Sequence, residues 1–242
     1  MKLESQNTNQ KDQFFLTPQH LCSYLNRSDA QTLFYDPRII VSESTYDRLT
    51  KNGFRRSGGH LYRPHCKQCN GCVPTRIPVA NFPLKRSHRR VINKNKDLTI
   101  NIEEASFNSR FYDLYQRYIN VKHADGDMFP PSIDQYKTFL LSPWADSFFI
   151  ASYLGKKLIS VAVTDKQKEG LSAIYTFYDP SESQRSLGTF NILNQVQTAS
   201  ELGLEYLYLG YWIANNEKMH YKINFKPLEL FIDSQWTKIG PT

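Results

Sequence analysis

Three apolar runs, FFIASYL (148–154), KLISVAV (157–163) and LSAIYTFY (171–178), decide the fold of this 242-residue chain. Each run is rich in the β-branched and aromatic residues that favour strands. The segments at their junctions, GKK (155–157) and DKQKEG (165–170), have the composition of tight turns. Strands that follow one another through tight turns pair with their neighbours, so the sequence predicts three consecutive antiparallel strands.

Helices are predicted on both sides of these strands. Upstream, apolar residues recur at the spacing of one helix face: Phe107, Phe111, Leu114, Tyr115, Tyr118 and Val121. A shorter helix follows Pro130-Pro131, and another is predicted over about residues 188–202, ending at Gly203. Further strands are predicted at YLYLGYWI (206–213) and LELFID (228–233). Together these elements indicate a mixed α/β fold.

The first third of the chain has a different character. Residues 1–13 are polar and are predicted to form a disordered tail. Ser42 is in position to cap a short helix that ends near Gly53. The sequence that follows is rich in glycine, proline and cysteine and lacks periodicity, which is typical of a loop-rich unit that needs a stabilising cross-link. We therefore predict an N-terminal cysteine-containing module over residues 14–96 and a second domain over residues 97–242.

The positive charge of the chain is concentrated in this module. The formal net charge is +7, and the stretch 48–96 contains thirteen Lys or Arg residues and no Asp or Glu. Such a stretch attracts polyanions, of which phosphate backbones are the commonest. Within KRSHRR (85–90), we predict that Arg86, Arg89 and Arg90 contact nucleic acid phosphates. The alternative is a solvated basic loop that has no partner.

Membrane association is not expected from the sequence. No apolar run approaches the ~18 residues of a membrane-spanning helix, and the N-terminal residues lack the apolar centre of a signal peptide. The sequence therefore predicts a soluble, cytoplasmic protein with no membrane partner. In a reducing compartment, clustered cysteines are metal ligands or free thiols more often than disulfides.

Three of the four cysteines lie in RPHCKQCNGC (63–72). Their C-x2-C-x2-C spacing is close to the run that binds an iron–sulfur cluster in bacterial ferredoxins, and it differs from the paired spacing of zinc fingers. Zinc would also accept His20 or His65 as a ligand. Three alternatives stay open: an iron–sulfur cluster, zinc, and no stable metal. The predicted ligands are Cys22, Cys66, Cys69 and Cys72, which we expect to converge.

The sequence lacks the motifs of nucleotide hydrolysis, dinucleotide binding, and serine or metal-dependent hydrolysis. RSLGTF (185–190), which opens a predicted helix, resembles the R-x-x-G-x-G/A turn by which acetyltransferases hold the pyrophosphate of coenzyme A. Phe190 replaces the last small residue of that turn and would obstruct the approach of a phosphate to the backbone. The turn therefore points to an acyl-transfer fold that takes its acyl group from another donor.

Two segments resemble a known family. Residues 53–90 are similar to the N-terminal module, and residues 171–230 to the C-terminal module, of the aminoacyl-tRNA–protein transferases. YLGYWI (208–213) and KMHYK (218–222) carry the resemblance, because they occur together and in this order. The triple-cysteine segment and the short chain resemble the bacterial aspartate/glutamate leucyltransferase branch, which is related to the eukaryotic arginyl-tRNA–protein transferases. One departure is Asn26, where the family usually has proline.

The resemblance implies transfer of an amino acid, with leucine expected, from aminoacyl-tRNA to the N-terminal α-amine of proteins that begin with Asp or Glu. The new N-terminus marks those proteins for degradation by the N-degron route. The implied fold is an acetyltransferase-like (GNAT-like) mixed sheet with helices, beside which the cysteine module packs. The chemistry agrees, because an aminoacyl ester is already activated and requires no cofactor. A protein α-amine, with a pKa of about 7.7–8.0, is also partly neutral at neutral pH.

The candidate substrate-binding residues are basic. Arg55, Arg56 and Arg63 lie in the acid-free stretch beside glycines, and a guanidinium group pairs with a carboxylate bidentately. Lys218 and Lys222 of KMHYK supply point charges for the acidic N-terminus or for the 3′ end of tRNA. Arg56 is the preferred candidate because the three residues after it form the most open backbone of the module. The alternative for these residues is a phosphate contact or exposure to solvent.

The candidate catalytic residues are Tyr178 and Tyr211, whose hydroxyls would donate to the tetrahedral oxyanion, and Asp165, which would help to remove the amine proton. The alternative for each tyrosine is core packing. Two other functions stay open, a metal-stapled nucleic-acid-binding protein without catalysis and an acyl-CoA N-acyltransferase. The first leaves YLGYWI and KMHYK unexplained, and Phe190 disfavours the second.

Overall fold

The computed structural model describes residues 12–80, 82–126 and 128–239. The tail predicted over residues 1–13 therefore lies outside the described residues, except for residues 12 and 13. In the described part, the chain forms a small and a large β-sheet, and strands and helices are numbered in chain order. None of the helices in these ranges is long and apolar enough to cross a membrane.

The large sheet is mixed, which confirms the α/β class. Its neighbouring strands are antiparallel except for β9 and β10, which are parallel. From edge to edge, its eight strands in the described residues are β12 (Gln235–Ile239), β11 (Leu228–Ile232), β5 (Val73–Pro78), β10 (Tyr206–Trp212), β9 (Gly170–Tyr178), β8 (Lys157–Lys166), β7 (Ser147–Leu154) and β6 (Thr99–Glu104).

The three apolar runs form β7, β8 and β9, and each strand pairs with the next in antiparallel register, as predicted. The turn between β7 and β8 contains Gly155, whose φ of 58° lies in the left-handed region that favours glycine. The sequence does not predict the edge strands β6 and β12. Both are largely exposed and mix polar with apolar residues, so neither presents a continuous apolar run.

Helices cover both faces of the large sheet. α3 (Ser109–Lys122) and α4 (Ile133–Leu140) pack on one face, against apolar residues of β7, β8 and β9. α5 (Leu187–Glu201) covers the other face, and α2 (Arg86–Lys94) packs beside it. Alternate residues of a strand point to opposite faces, which is why one sheet builds two separate apolar cores.

The predicted helices are present, with small differences at their ends. Phe107 precedes α3, and Val121 in its last turn is 63% exposed, so the apolar periodicity extends beyond the buried face at both ends. α5 is followed closely by Gly203 at a φ of 68°, as predicted. α6 (Glu217–His220) is a single turn that leads into a 3-10 turn over Tyr221–Asn224.

The N-terminal module contains a four-stranded antiparallel sheet, whereas the sequence indicates a loop-rich unit. In spatial order its strands are β1 (Phe14–Leu16), β2 (Thr32–Tyr35), β4 (His60–Pro64) and β3 (Arg55–Ser57). These strands have three to five residues, which is too short for their alternation to be recognised. Irregular structure dominates residues 17–31 and 65–72, which carry the four cysteines.

α1 (Glu43–Lys51) packs on this small sheet. Ser42 caps it, because its Oγ accepts a hydrogen bond of 3.1 Å from the backbone N–H of Thr45. Gly53 follows the helix at a φ of 82° and turns the chain into β3. Both the cap and the stop are as predicted.

β5 belongs to the N-terminal segment in sequence but lies in the large sheet. It pairs with β10 on one side and with β11 on the other, in both cases antiparallel. A boundary at residue 96 separates β5 in sequence from both of these partners. The division of the chain into residues 14–96 and 97–242 stays a prediction.

Candidate active site

The large sheet opens between β9 and β10. These parallel strands pair at only three positions, Tyr206–Tyr208 opposite Gly170–Ser172. Beyond them, a bulge at Gly210, with a φ of 82°, changes the course of β10 along β5. The edges of β9 from Ala173 and of β10 from Leu209 therefore face each other without pairing. The carboxyl ends of parallel strands are the usual place for a ligand in α/β sheets.

Arg55 of β3 lies in this opening. It is 7% exposed, and its Nη2 donates a hydrogen bond of 2.6 Å to the carbonyl oxygen of Ala173 on β9. A Cβ built on Gly210 would lie 3.5 Å from Nε, so the guanidinium group also lies against the bulge of β10. Its Nη1 is buried and has no hydrogen-bond partner within the described residues. One nitrogen of a buried cation is thus free to bind a ligand.

Lys222 is a second buried basic residue beside the opening. It is 4% exposed, and its Nζ donates a hydrogen bond of 2.6 Å to the carbonyl oxygen of Tyr211 on β10. Burial, and then the charge of Arg55, lower the pKa of Lys222 to about 7. No carboxylate in the described ranges forms an ion pair with either residue. The opening therefore holds two buried basic groups, Arg55 and Lys222, and no carboxylate of the described residues pairs with either of them.

Three tyrosine side chains lie near Arg55. Burial raises the pKa values of Tyr62, Tyr211 and Tyr221, and the charge of Arg55 opposes this shift in all three. The Tyr211 hydroxyl donates to backbone carbonyl oxygens, that of Gly53 at 3.0 Å and that of Tyr62 at 3.2 Å. Its one proton is used in these contacts, which join the small sheet to β10. These contacts argue against Tyr211 as an oxyanion donor, and that role stays a prediction.

Arg56 and Asp165 form a buried ion pair outside the opening. Their side chains are fully buried, and Arg56 Nε lies 2.6 Å from Asp165 Oδ2. Asp165 also accepts hydrogen bonds of 2.7 Å from the hydroxyls of Tyr46 and Ser147. The other guanidinium nitrogens donate to carbonyl oxygens of the β3–β4 turn and of the end of α4. These contacts occupy both side chains, which argues against substrate binding by Arg56 and against proton removal by Asp165. Both roles stay predictions.

The remaining predicted residues are more exposed. The Nη1 of Arg63 donates to the Asn52 carbonyl oxygen at 2.9 Å, and its guanidinium group lies 5.2 Å from the ring centre of Phe54. The Lys218 side chain is 69% exposed. Tyr178, at the end of β9, is half-buried, and its ring packs edge-on against another tyrosine at 4.8 Å. A catalytic role for Tyr178 stays a prediction.

The four cysteines line one cavity of about 470 Å³. Three of their sulfurs accept backbone N–H groups at 3.4 Å: Cys22 from Leu25, Cys66 from Gln31, and Cys69 from Gly71. Such N–H···S contacts are a feature of thiolates that hold iron–sulfur clusters. Burial, and then the other three cysteines, raise the pKa of Cys72 to about 12. His65 lines the cavity, whereas His20 does not.

In the structure, the four cysteine side chains are not arranged around a common point as metal ligands would be. Among the described residues, no group of three or more His, Cys, Asp or Glu side chains is arranged to hold a metal ion. The four thiols thus share a cavity without being drawn together around one point. Metal binding at the cysteines stays a prediction.

α2 forms a basic surface. Arg86, Arg89 and Arg90 are exposed on it, and none of them pairs with a carboxylate in the described part of the chain. His88, on the inner side of the same helix, is buried. The segment is therefore a short helix with one basic face, and not the loop that the sequence leaves as an alternative.

Sequence reasoning misses several residues of the opening. No sequence pattern assigns a role to Tyr62 or Tyr221. The sequence favours Arg56 over Arg55, whereas in the structure Arg56 is the residue held in a buried ion pair. One sign is available in the sequence, because Gly210 interrupts a strand pattern and indicates close approach by another group. In the structure, Arg55 is the group that approaches it.

Comparisons with known proteins agree over most of the chain. The family model for the N terminus of arginine-tRNA-protein transferase matches residues 20–90, and the model for its C terminus matches residues 110–232. The aspartate/glutamate leucyltransferase of Pseudomonas fluorescens (strain Pf0-1) is 50% identical over 227 residues, covering 94% of this chain and 97% of that protein. The Hahella chejuensis protein of the same name is 47% identical over 226 residues, covering 93% and 97%.

A solved structure of L-PGS from Bacillus licheniformis is also similar. It covers 84% of this chain and 69% of that chain, with a TM-score of 0.44 and 10% sequence identity. This likeness is too low to carry an argument about the fold or the function.

Proposed function

This chain belongs to the arginine-tRNA-protein transferase family, and on that premise we propose that it transfers leucine from aminoacyl-tRNA to the N-terminal amine of proteins that begin with Asp or Glu. The observation that carries the acidic preference is the pair of buried basic residues, Arg55 and Lys222, which form no ion pair with a described carboxylate. The product carries a new N-terminal residue, which in the N-degron route marks the protein for degradation.

The carboxylate of the incoming Asp or Glu is the anion that this pair lacks. A buried cation without a partner costs several kcal/mol, and a carboxylate that pairs with it recovers much of that cost. The free Nη1 of Arg55 is a donor for one carboxylate oxygen, and Lys222 lies close enough to influence the same site electrostatically. Binding an anion favours the charged form of Lys222. An uncharged N-terminal side chain provides no such gain, so the pair discriminates in favour of acidic residues.

The reaction needs little further assistance. The neutral α-amine attacks the carbonyl carbon of the aminoacyl ester, the bond to the ribose oxygen breaks, and that oxygen takes up the proton that the amine releases. Orientation of the two substrates and stabilisation of the oxyanion supply most of the acceleration. Tyr178 remains our proposal for an oxyanion donor, and no cofactor takes part.

The tRNA is proposed to bind along the basic face of α2. Arg86, Arg89 and Arg90 are exposed there and have no described carboxylate to compete with phosphate. Contacts of this kind give affinity without base specificity. Lys218, which is exposed on α6, is a further candidate for the 3′ end of the tRNA.

The finer fold assignment is an acetyltransferase-like sheet. It is supported by the parallel β9–α5–β10 connection and by the opening that follows its three paired positions. A coenzyme A donor is disfavoured, because Arg185 of RSLGTF is held in ion pairs with Asp97 and Glu182. Phe190 is 4% exposed and packs in a core with Ile159 and Leu187, so it supports α5 rather than a phosphate site.

We also propose that Cys22, Cys66, Cys69 and Cys72 hold zinc or an iron–sulfur cluster. The shared cavity and the three N–H···S contacts support a thiolate site. The group would cross-link two irregular segments of the N-terminal module, and it has no part in the transfer step. Iron and zinc analysis of protein purified without oxygen tests this, and absence of both metals would refute it.

The transfer activity is tested with charged tRNA and short peptides. Mass spectrometry after incubation with leucyl-tRNA should show leucine added to Asp- and Glu-starting peptides, and not to an Asn-starting peptide. Arg55→Gln should lower kcat/KM for the acidic peptides about ten- to a hundred-fold while leaving tRNA affinity intact, because a charge-assisted bond is worth about 1.5–3 kcal/mol. Arg48→Gln, which changes an arginine of the same module that is 49% exposed and pairs with Asp12, is the matched control. Equal rates with Asp- and Asn-starting peptides would contradict the proposal.

A further inference from the structure

We propose that His88 is a positioning residue that ties the basic face of α2 to the turn that carries Lys222, so that tRNA and the acidic N-terminus bind cooperatively. This inference rests on the function proposed above for α2 and for the Arg55–Lys222 pair. It adds a coupling between the two substrate sites, which neither site requires by itself.

His88 is the point at which α2 is anchored. It is 3% exposed, and its ring is stacked between the rings of Phe82 and Phe225, with centroid distances of 5.6 and 5.5 Å and interplanar angles of 16° and 15°. Its Nδ1 accepts a hydrogen bond of 3.4 Å from the backbone N–H of Lys85, at the start of the helix. Burial, and then the charge of Lys85, lower the pKa of His88, so the ring is neutral at neutral pH.

The stacking partner Phe225 is continuous with the Lys222 turn. Phe225 directly follows the 3-10 turn over Tyr221–Asn224, and its backbone N–H donates to the Lys222 carbonyl oxygen at 3.2 Å. A second contact reaches the same turn, because the Nζ of Lys85 donates to the Asn224 carbonyl oxygen at 2.7 Å. The start of α2 thus contacts the turn through a stacked ring and through a hydrogen bond.

The position of Lys222 depends on this turn. Its Nζ is held by one carbonyl oxygen, that of Tyr211, and by a contact of 3.3 Å with the sulfur of Met219, which lies on the preceding helical turn. A movement of the turn therefore moves the ammonium group away from the opening. When α2 is held in place, His88 prevents this movement because its ring is stacked on Phe225 at the end of the turn.

The outer face of α2 supplies that restraint. Arg86, Arg89 and Arg90 lie within two residues of His88 in a helix of nine residues, so phosphates bound to them fix the helix that presents the ring. Rigidifying one site lowers the cost of ordering the other, and the coupling is reciprocal. Bound tRNA should tighten the binding of an acidic peptide, and the peptide should tighten the binding of tRNA by the same factor.

The experiment measures peptide affinity by calorimetry with and without deacylated leucine tRNA. For the wild-type protein, we expect saturating tRNA to tighten the binding of an Asp-starting peptide about five-fold or more. His88→Ala should remove this factor, and His88→Phe, which keeps an aromatic ring in the stack, should retain most of it. Asn93→Ala, an exposed change on the same helix, should leave it unchanged. If His88→Ala fails to fold, Lys85→Met provides a second test. It removes the hydrogen bond from the exposed Lys85 side chain to the Asn224 carbonyl oxygen, and it should reduce the tightening of peptide binding by tRNA.

The outcomes separate this inference from the proposed function. A wild-type protein that leucylates acidic peptides but shows no coupling overturns the inference alone. A His88→Ala variant that melts at a lower temperature yet keeps the full coupling factor shows that the ring is only a packing residue, which also overturns it. A wild-type protein that adds leucine to no acidic peptide overturns the proposed function instead.

Discussion

Arg55 and Arg56 are adjacent in β3, and a strand directs adjacent side chains to opposite faces. One face places Arg55 in the opening between β9 and β10, and the other places Arg56 against Asp165 and the end of α4. Two residues of the same type in the same open stretch therefore have different environments. Only the three-dimensional partners distinguish a residue that is satisfied from one that is available.

Arg56→Met tests the structural assignment of Arg56. It leaves Asp165 buried without its cation, so we expect a loss of about 3–5 kcal/mol in the free energy of unfolding, measured by urea denaturation. Adding Asp165→Leu should recover much of the loss, because the uncompensated charge is then gone. Arg48→Met, which removes a surface pair with Asp12, should cost less than about 1 kcal/mol. An Arg56→Met protein of normal stability that no longer prefers acidic peptides would return Arg56 to the substrate site.

Lys222 gives the folded protein a characteristic dependence on pH. Its pKa is about 7 in the folded chain against 10.5 for an ordinary lysine, so between these values the unfolded state binds a proton that the folded state does not. The free energy of unfolding should therefore rise with pH from about 7 to about 10.5, by up to several kcal/mol. Denaturation at a series of pH values should show that Lys222→Met flattens this rise, whereas Lys218→Met, an exposed control, does not. A slope that is the same in wild-type and Lys222→Met proteins would mean that Lys222 is charged when folded.

At the scale of elements, the β3–β4 turn is the contact that fixes the small sheet against α4. Gly58 has a φ of 56°, its backbone N–H donates to the Phe139 carbonyl oxygen at 2.9 Å, and a Cβ on it would lie 1.8 Å from the Thr138 carbonyl oxygen. The same turn receives a hydrogen bond from Trp144, whose Nε1 donates to Gly59 at 3.2 Å. A residue without a side chain is therefore required at this position.

Gly58→Ala combines an unfavourable φ with a steric clash against the Thr138 carbonyl oxygen. Gly155→Ala has the unfavourable φ alone. Gly155 has a φ of 58°, and a Cβ on it would meet nothing within 4 Å. We expect Gly155→Ala to cost about 1 kcal/mol and Gly58→Ala at least about 2 kcal/mol more, measured as the difference in urea denaturation midpoints. Equal costs would mean that the turn can move away from α4 without penalty.

The basic face of α2 should determine how tRNA affinity depends on salt concentration. Replacing Arg86, Arg89 and Arg90 together with alanine should weaken tRNA binding and reduce the slope of log affinity against log salt by about 2, because each phosphate contact releases less than one counterion. Filter binding over a range of salt concentrations measures the slope. Lys122→Ala on α3 is a control for the loss of an exposed charge elsewhere. A triple variant with the wild-type slope would place the tRNA surface on another part of the molecule.

At the scale of the whole molecule, local patterns account for what could be predicted. The runs that form β7, β8 and β9 are apolar and separated by tight turns, so sequence determines their pairing, and the cap of α1 is equally local. The short strands β1 to β4 and the exposed edges β6 and β12 give too little pattern to be found. The site depends on contacts between distant segments, since Arg55 meets Ala173, Gly210 and Lys222 only when the small sheet docks on the large one. The periodicity of apolar residues within a segment does not indicate which distant segments will be in contact.

The placement of β5 between β10 and β11 sets an order for synthesis on the ribosome. The last residue of β5 is separated from the first residue of β10 by about 130 residues, so β10 emerges roughly 6–25 s later at ordinary rates of translation, and β11 emerges after it. During that interval both edges of β5 lack their final partners, and free edges are sites of association between chains. Completion of the sheet by such distant segments raises the contact order and slows folding. A nascent chain of this protein is therefore most dependent on chaperones after β7, β8 and β9 have paired and before its last strands leave the exit tunnel.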